Sequence, residues 1–185
     1  MDYAERTGNQ SGRVLSYLNI GIANVLNDAW HKALEVLETA LTIGRERRLL
    51  LNEGGVLAAM AAAHLGLGER ARALTLTEEA IGFTRRLGSR FWEFSALLTQ
   101  IRALRETLGL QATREIEAAI AEADAWLEMS GAKSYEPFLC VERANLARLV
   151  GDEPTRQRKL HEAHRLFLEI DAPIRAEQVA KELAG

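Results

Sequence analysis

The strongest constraint on this 185-residue chain is an internal repeat. Four alanines, Ala40, Ala80, Ala123 and Ala163, recur along it at offsets of 40, 43 and 40. Each stands seven residues after Ala33, Ala73, Ile116 or Arg156, and each is preceded at three residues by Leu37, Thr77, Ile120 or Leu160. That spacing is the stripe of a helix packed on one face. Twelve residues upstream of the first member of each pair lie Gly21, Ala61, Leu104 and Ala144, so each repeat carries two helices joined by a short turn. A fixed period of this length reads as an array in which each unit buries its apolar face against the next.

Composition points the same way. Ala (29) and Leu (28) dominate while Ile (9) and Val (7) are scarce, and the three prolines all lie beyond residue 136. Strand formers are few and nothing interrupts a helix in the first three quarters of the chain, so the expected class is all-α. Gly66-Leu-Gly-Glu69, Gly109-Leu-Gln111 and Gly151-Asp-Glu-Pro154 punctuate the middle of repeats, and Gly88-Ser89 and Gly131-Ala132 separate them. Glycine after a helix closes it cheaply because it tolerates positive φ. Ser89, Ser134 and Asp152 are N-cap candidates, and Pro137, Pro154 and Pro173 fit first turns. The predicted helices cover 13–27, 29–46, 51–67, 69–87, 89–108, 112–130, 134–150, 153–170 and 173–184. One domain spanning 1–185 is expected, with repeats at about 13–50, 51–88, 89–132 and 133–170. A capping helix at 173–184 closes it, with Ile174, Val179, Ala180 and Leu183 on its apolar face. Residues 1–10 read as the remnant of a preceding repeat.

These residues resemble the tetratricopeptide repeat (TPR). The first repeat fits its signature best with Tyr17, Ile20, Gly21, Asn24, Ala33, Leu37 and Ala40, and the second follows with Leu57, Met60, Ala61, His64, Ala73, Thr77 and Ala80. The third and fourth match more loosely, and the period near 40 exceeds the usual length of about 34. The resemblance implies a right-handed α-solenoid of about four helix-turn-helix units. Two stretches are similar to the C-terminal helical arrays of bacterial signalling ATPases and adenylate cyclases: 163–183, and Tyr135-Glu-Pro-Phe138 followed by Glu142-Arg-Ala-Asn-Leu-Ala147. This implies a non-enzymatic protein–protein interaction scaffold, the regulatory C-terminal module of such a protein or of a transcriptional regulator, whose partner is another protein or its own catalytic domain. The alternative is a small-ligand-sensing helical domain of a transcriptional activator.

The chemistry of enzymes is missing from the pattern. There is no phosphate-binding Gly-x-x-x-x-Gly-Lys-Ser/Thr run and no Gly-x-Gly-x-x-Gly. His161 and His164 share a helix without a third ligand, His64 takes the place of the family's tyrosine, and Cys140 falls at a buried first-helix position. No catalytic residue, metal site or cofactor is therefore expected. Arginine outnumbers lysine 19 to 4, but the net charge is −3 and the arginines at 45, 47, 48, 85, 86 and 90 sit where cations complement helix C-termini. Nucleic acid is not an expected partner. The chain shows no membrane-spanning stretch, and its one cysteine and acidic N-terminus suggest a cytoplasmic protein.

In the family, positions 2, 5, 6, 9 and 12 of each first helix line a concave surface. Carried over, they mark a candidate partner-binding groove at Leu18, Asn19, Ile22, Arg102, Arg105, Phe138, Glu142, Asn145 and Arg148. The second repeat contributes Gly55, Ala58, Ala59, Ala62 and Leu65. A carboxylate clamp of the chaperone-binding kind is not expected, because its Lys and Asn positions hold Leu18, Ile22, Ala58 and Ala62. With Leu15, Leu18, Ile22, Val25 and Leu26 on its inner side, the first helix is expected to carry an apolar patch that a homodimer through the N-terminal helices would cover.

Overall fold

The computed structural model describes residues 9–184, all-helical and without a strand among the described residues. Residues 1–8, most of the expected remnant at 1–10, lie outside them. The helices are α1 (Gln10–Leu26), α2 (Trp30–Glu46), α3 (Glu53–Gly66), α4 (Arg70–Leu87), α5 (Arg90–Leu108), α6 (Thr113–Ser130), α7 (Glu136–Val150), α8 (Glu153–Glu169) and α9 (Pro173–Ala184). No boundary departs from expectation by more than three residues. The largest departure is the start of α1, where the side chain of Asn9 accepts from the Gly12 N–H at 2.9 Å and opens the helix one turn early. Short 3₁₀ turns at 50–52, 109–112 and 133–135 precede α3, α6 and α7.

The chain reverses through one backbone device. Residues 28, 48, 68, 88, 109, 131, 151 and 171, one in each connection and almost evenly spaced, all adopt positive φ in the left-handed region. At six of these the next N–H reaches back five residues, as from Ser89 to Thr84 O and from Leu49 to Gly44 O. This is the Schellman closure, which satisfies carbonyls that the helix end would otherwise orphan. Glycine serves at five positions, whereas Asp28, Arg48 and Asp171 hold the same conformation with a side chain. Aspartate tolerates it through local hydrogen bonding; arginine has no such relief.

By contact the chain forms two compact units, Met1–Ala103 and Leu104–Gly185, with the division inside α5. In the N-terminal unit α2 packs on α1 and α3, and α4 on α3. Ala33, Ala40, Ala73 and Ala80 are fully buried, as the register requires. Small residues admit large ones: a Cβ on Gly21 would stand 2.4 Å from Leu37, and one on Gly55 or Gly66 would stand 2.5 Å from the indole of Trp92 or Trp30. An ion pair recurs with the repeat. Arg45 Nε donates to Glu53 Oε1 and, forty residues on, Arg85 Nε donates to Glu93 Oε1, both at 2.8 Å. Each pair staples the end of a second helix to the start of the next first helix.

The C-terminal unit is built on the same alanine register, with Ala123 and Ala163 fully buried. Its core gathers Cys140, Ala144, Leu160 and Phe167 from α7 and α8 with Ala176 and Val179 from α9. The inner face of α9 carries Val179, Ala180 and Leu183 as expected, except that Ile174 stands in solvent and Ala176 is buried instead. Arg156, where the other repeats carry a small or apolar residue, donates to the Glu182 carbonyl at 2.7 Å and caps the end of α9. No Arg–Glu staple occurs at the α6–α7 turn, where an aromatic chain takes over. Trp126 meets Tyr135 edge-on, Tyr135 lies 6.4 Å from Phe138, and Phe138 meets Phe167 edge-on at 5.0 Å.

Two outcomes follow. Ala80→Leu and Ala123→Leu each overfill a closed crossing and lower stability by about 1–3 kcal/mol in chemical denaturation. Arg48→Gly removes a strained turn conformation at an exposed side chain and raises stability by about 1 kcal/mol, or about 2–4 °C in melting temperature.

Candidate functional site

The nine expected groove residues are divided between the units, and two of them, Leu18 and Glu142, are not surface residues at all. In the N-terminal unit Leu18 is fully buried, so it belongs to the core and offers nothing to a partner. Asn19 is exposed, Ile22 half-buried, and Arg102 half-buried and engaged with a neighbouring group. The second-repeat positions Gly55, Ala58 and Ala59 are buried as well, with Trp92 lying on Gly55. Small residues there admit a neighbouring ring, so the expected concave floor is packed. The apolar patch on α1 shrinks for a related reason: with Leu18 inside and Ile22 and Val25 half-covered, Leu15 and Leu26 are what it exposes.

In the C-terminal unit Glu142 is 1% exposed and accepts from Arg105 Nη1 at 2.8 Å, with Arg105 itself 17% exposed. A carboxylate leaves water at a cost of several kcal/mol and needs an opposite charge with hydrogen bonds to remain ionised. The Arg105–Glu142 pair is therefore a structural tie from the end of α5 to α7, a correction to its expected place in a binding groove. Phe138 is half-buried in the aromatic chain and packs on the core. Asn145 is half-buried and Arg148 exposed, neither lining a described cavity.

A concavity of this unit lies elsewhere, among α6, α7 and α8. Its volume is about 340 Å³ and its apolar lining is Ile120, Ala121, Leu146, Ala147 and Val150, of which Ile120 and Ala147 are buried and Ala121 and Val150 exposed. The rim carries Glu117, Asp124, Arg143, Asp152, Thr155 and Lys159. Most of this charge is already spent: Arg143 pairs with Asp124, Lys159 donates to Glu162 at 2.6 Å, and Asp152 caps α8 by accepting from the Thr155 N–H at 3.0 Å. Bonding to Thr155 holds the Asp152 carboxyl below its ordinary range. Exposed Val150 and Glu117 mark the groove as open to solvent. Positions 143, 146 and 150 share one face of α7, as 117, 120, 121 and 124 share one of α6. That signal is present in the sequence, but it lies on the second helix α6 and on a face of the first helix α7 other than the one that carries Phe138, Glu142, Asn145 and Arg148.

Cys140, His64 and His161 are inert or engaged within the fold. Burial, with Glu162 adding to it, pushes the Cys140 thiol up to about 11, so a reactive thiolate is scarce near neutrality. His64 Nδ1 lies 2.6 Å from Glu69 Oε2 across the α3–α4 turn. His161 Nδ1 contacts the Gln157 carbonyl, and the described residues contain no metal-competent group of three or more His, Cys, Asp or Glu. A second recess, of about 370 Å³, lies in the N-terminal unit among Arg45, Glu53, Leu57, Glu78, Glu79, Gly82, Phe83 and Arg86. No helix among the described residues is long and apolar enough to cross a membrane. Compared with known families and with curated proteins, the chain matches no family and no protein.

The buried pair is tested by a double-mutant cycle. Arg105→Leu alone removes a hydrogen-bonded cation from the buried Glu142 carboxylate and costs about 1–3 kcal/mol in urea unfolding, whereas Arg105→Leu/Glu142→Leu recovers much of that loss.

Proposed function

We propose that this chain is a non-enzymatic protein-interaction module, a right-handed α-solenoid of tetratricopeptide-like repeats ending in the capping helix α9. The solenoid reading is supported by the even spacing of the turn residues, the buried alanines at 40, 80, 123 and 163, and the ion-pair staple that recurs one repeat later. The observation that carries the function is the groove among α6, α7 and α8. It combines an apolar lining with a rim whose cations are bound in internal pairs, and it is open to solvent at Val150 and Glu117. An open, apolar-lined cleft suits a segment of another protein, which buries its own side chains there; an enclosed pocket would suit a small inducer better. The resemblance of 163–183 to bacterial signalling proteins supports a regulatory role next to an ATPase or cyclase module, with the partner being either that module or a separate protein.

The test is direct binding. The protein that co-purifies with the full chain is identified, purified and titrated against wild type and Val150→Asp. Val150 is exposed, so the substitution spares the core. The expected loss is at least about tenfold in affinity. Equal affinities for the two proteins would remove the groove as the binding site.

A further inference from the structure

The groove among α6, α7 and α8 has two unlike ends. Asp124 and Arg143 are paired across one of them, where Lys159 also lies, bonded to Glu162. Seven residues away along each helix, about 10 Å at 1.5 Å per residue, Glu117 of α6 and Val150 of α7 stand at the other. Asp152 joins them there as the N-cap of α8. Between the ends the lining is apolar, with Ile120, Ala121, Leu146 and Ala147.

The charge divides in the same way. The lining holds three carboxylates, Glu117, Asp124 and Asp152, and two cations, Arg143 and Lys159. Both cations are taken, Arg143 by Asp124 and Lys159 by Glu162, so the paired end is balanced. Glu117 is exposed and enters no ion pair among the described residues. Asp152 accepts from the Thr155 N–H through Oδ1, and a carboxylate has further lone pairs to offer. Arg158 offsets part of this charge from outside the lining, where its Nη2 donates to the Thr155 hydroxyl at 3.0 Å. The dipoles of α7 and α8 oppose each other at this turn, the end of one helix beside the start of the next, so the carboxylates set its sign. The surroundings have the same sign: the C-terminal unit holds 15 acidic and 11 basic residues, and the whole chain carries −3. A cationic segment is drawn to such a unit and an anionic one is repelled.

Resting on the reading of this groove as a docking site, we propose that its occupant is a basic amphipathic segment of a partner protein. Apolar side chains of the segment cover Leu146, Ala147 and Val150, and its Lys or Arg side chains meet Glu117 and Asp152. The apolar lining alone would accept any amphipathic helix. The carboxylates left at one end choose among them, because an acidic segment would bring like charges together there. The same carboxylates repel nucleic acid and an anionic bilayer.

The test uses the full chain and a fluorescent helical peptide with Lys on one face and Leu on the other, beside the same peptide with Glu for Lys. The Lys peptide is expected to bind with an affinity that falls as salt rises, and the Glu peptide at least about tenfold more weakly. Glu117→Gln/Asp152→Asn, in which asparagine keeps the cap, weakens binding of the Lys peptide at least about tenfold. Val150→Ser, which removes apolar contact without adding charge, weakens it at least about fivefold. Glu78→Gln/Glu79→Gln removes two carboxylates from the N-terminal unit instead and changes it less than about twofold. Should the Glu117/Asp152 variant melt early, Glu117→Gln alone, at an exposed side chain, is expected to weaken binding about threefold. Absence of binding by the Lys peptide, equal binding of the two peptides, or indifference to the Glu117 and Asp152 substitutions overturns the proposal. If the co-purified partner is nevertheless lost in Val150→Asp, the groove remains the docking site and only the charge assigned to its occupant fails. Peptide binding indifferent to Val150→Ser removes the groove itself. A concentration-dependent dimer in light scattering that Val150→Ser dissolves also overturns the proposal, and assigns the groove to a second copy of the chain.

Discussion

A residue in the left-handed region turns the backbone once in every connection, at almost even intervals, and the packing of each helix depends on where that residue falls. The closure matters twice. It satisfies the last carbonyls of one helix, and it sets the angle at which the next begins, so that Ala33, Ala40, Ala73 and Ala80 arrive at crossings too tight for a larger side chain. An inserted or deleted residue between two such turns rotates a helix by about 100° and takes its small-residue stripe out of the interface. The evenness of the spacing is therefore a packing requirement, and each alanine period spans two turns.

Much of this was readable because glycine and alanine are used for single physical reasons. The glycines at 68, 88, 109, 131 and 151 occupy the left-handed position, and the helix limits drawn from them hold within three residues. Asp28 and Asp171 do the same work with only aspartate's tolerance of the conformation to suggest it, and Arg48 with nothing in its identity to announce it; the spacing from the glycine turns betrays all three. The groove was less legible. Positions carried over from a repeat family presume an open inner face, and whether that face is open is decided by partners distant in sequence. Trp92 lies on Gly55 and Arg105 reaches Glu142 across 37 residues; neither pairing follows from a local pattern. Leu18 and Glu142 show the limit, since a leucine and a glutamate at surface-type positions are both core residues here.

The two units fasten successive repeats by different means. At the α2–α3 and α4–α5 turns a guanidinium crosses to a carboxylate eight residues on. At the α6–α7 turn the equivalent residues, 43 further along from Arg85 and Glu93, are Glu128 and Glu136, two like charges that cannot form the staple. The 3₁₀ turn at 133–135 instead presents Tyr135 to Trp126 on one side and toward Phe138 on the other, and Phe138 passes the contact to Phe167. Edge-to-face ring contacts are worth about 0.5–1.5 kcal/mol beyond the area they bury, whereas an exposed ion pair contributes about 0–1 kcal/mol. The aromatic fastening is the less dependent on salt, and it uses no charge. Its location also accounts for the Tyr-Glu-Pro-Phe sequence: proline at the second residue of α7 fixes the entry, and the rings on either side of it continue the chain, Tyr135 to Trp126 and Phe138 to Phe167. Charge at the turns is thus concentrated in the N-terminal unit, and the C-terminal unit, with 15 acidic and 11 basic residues, spends its cations along the helices in ties such as Arg105–Glu142, Arg143–Asp124 and Lys159–Glu162.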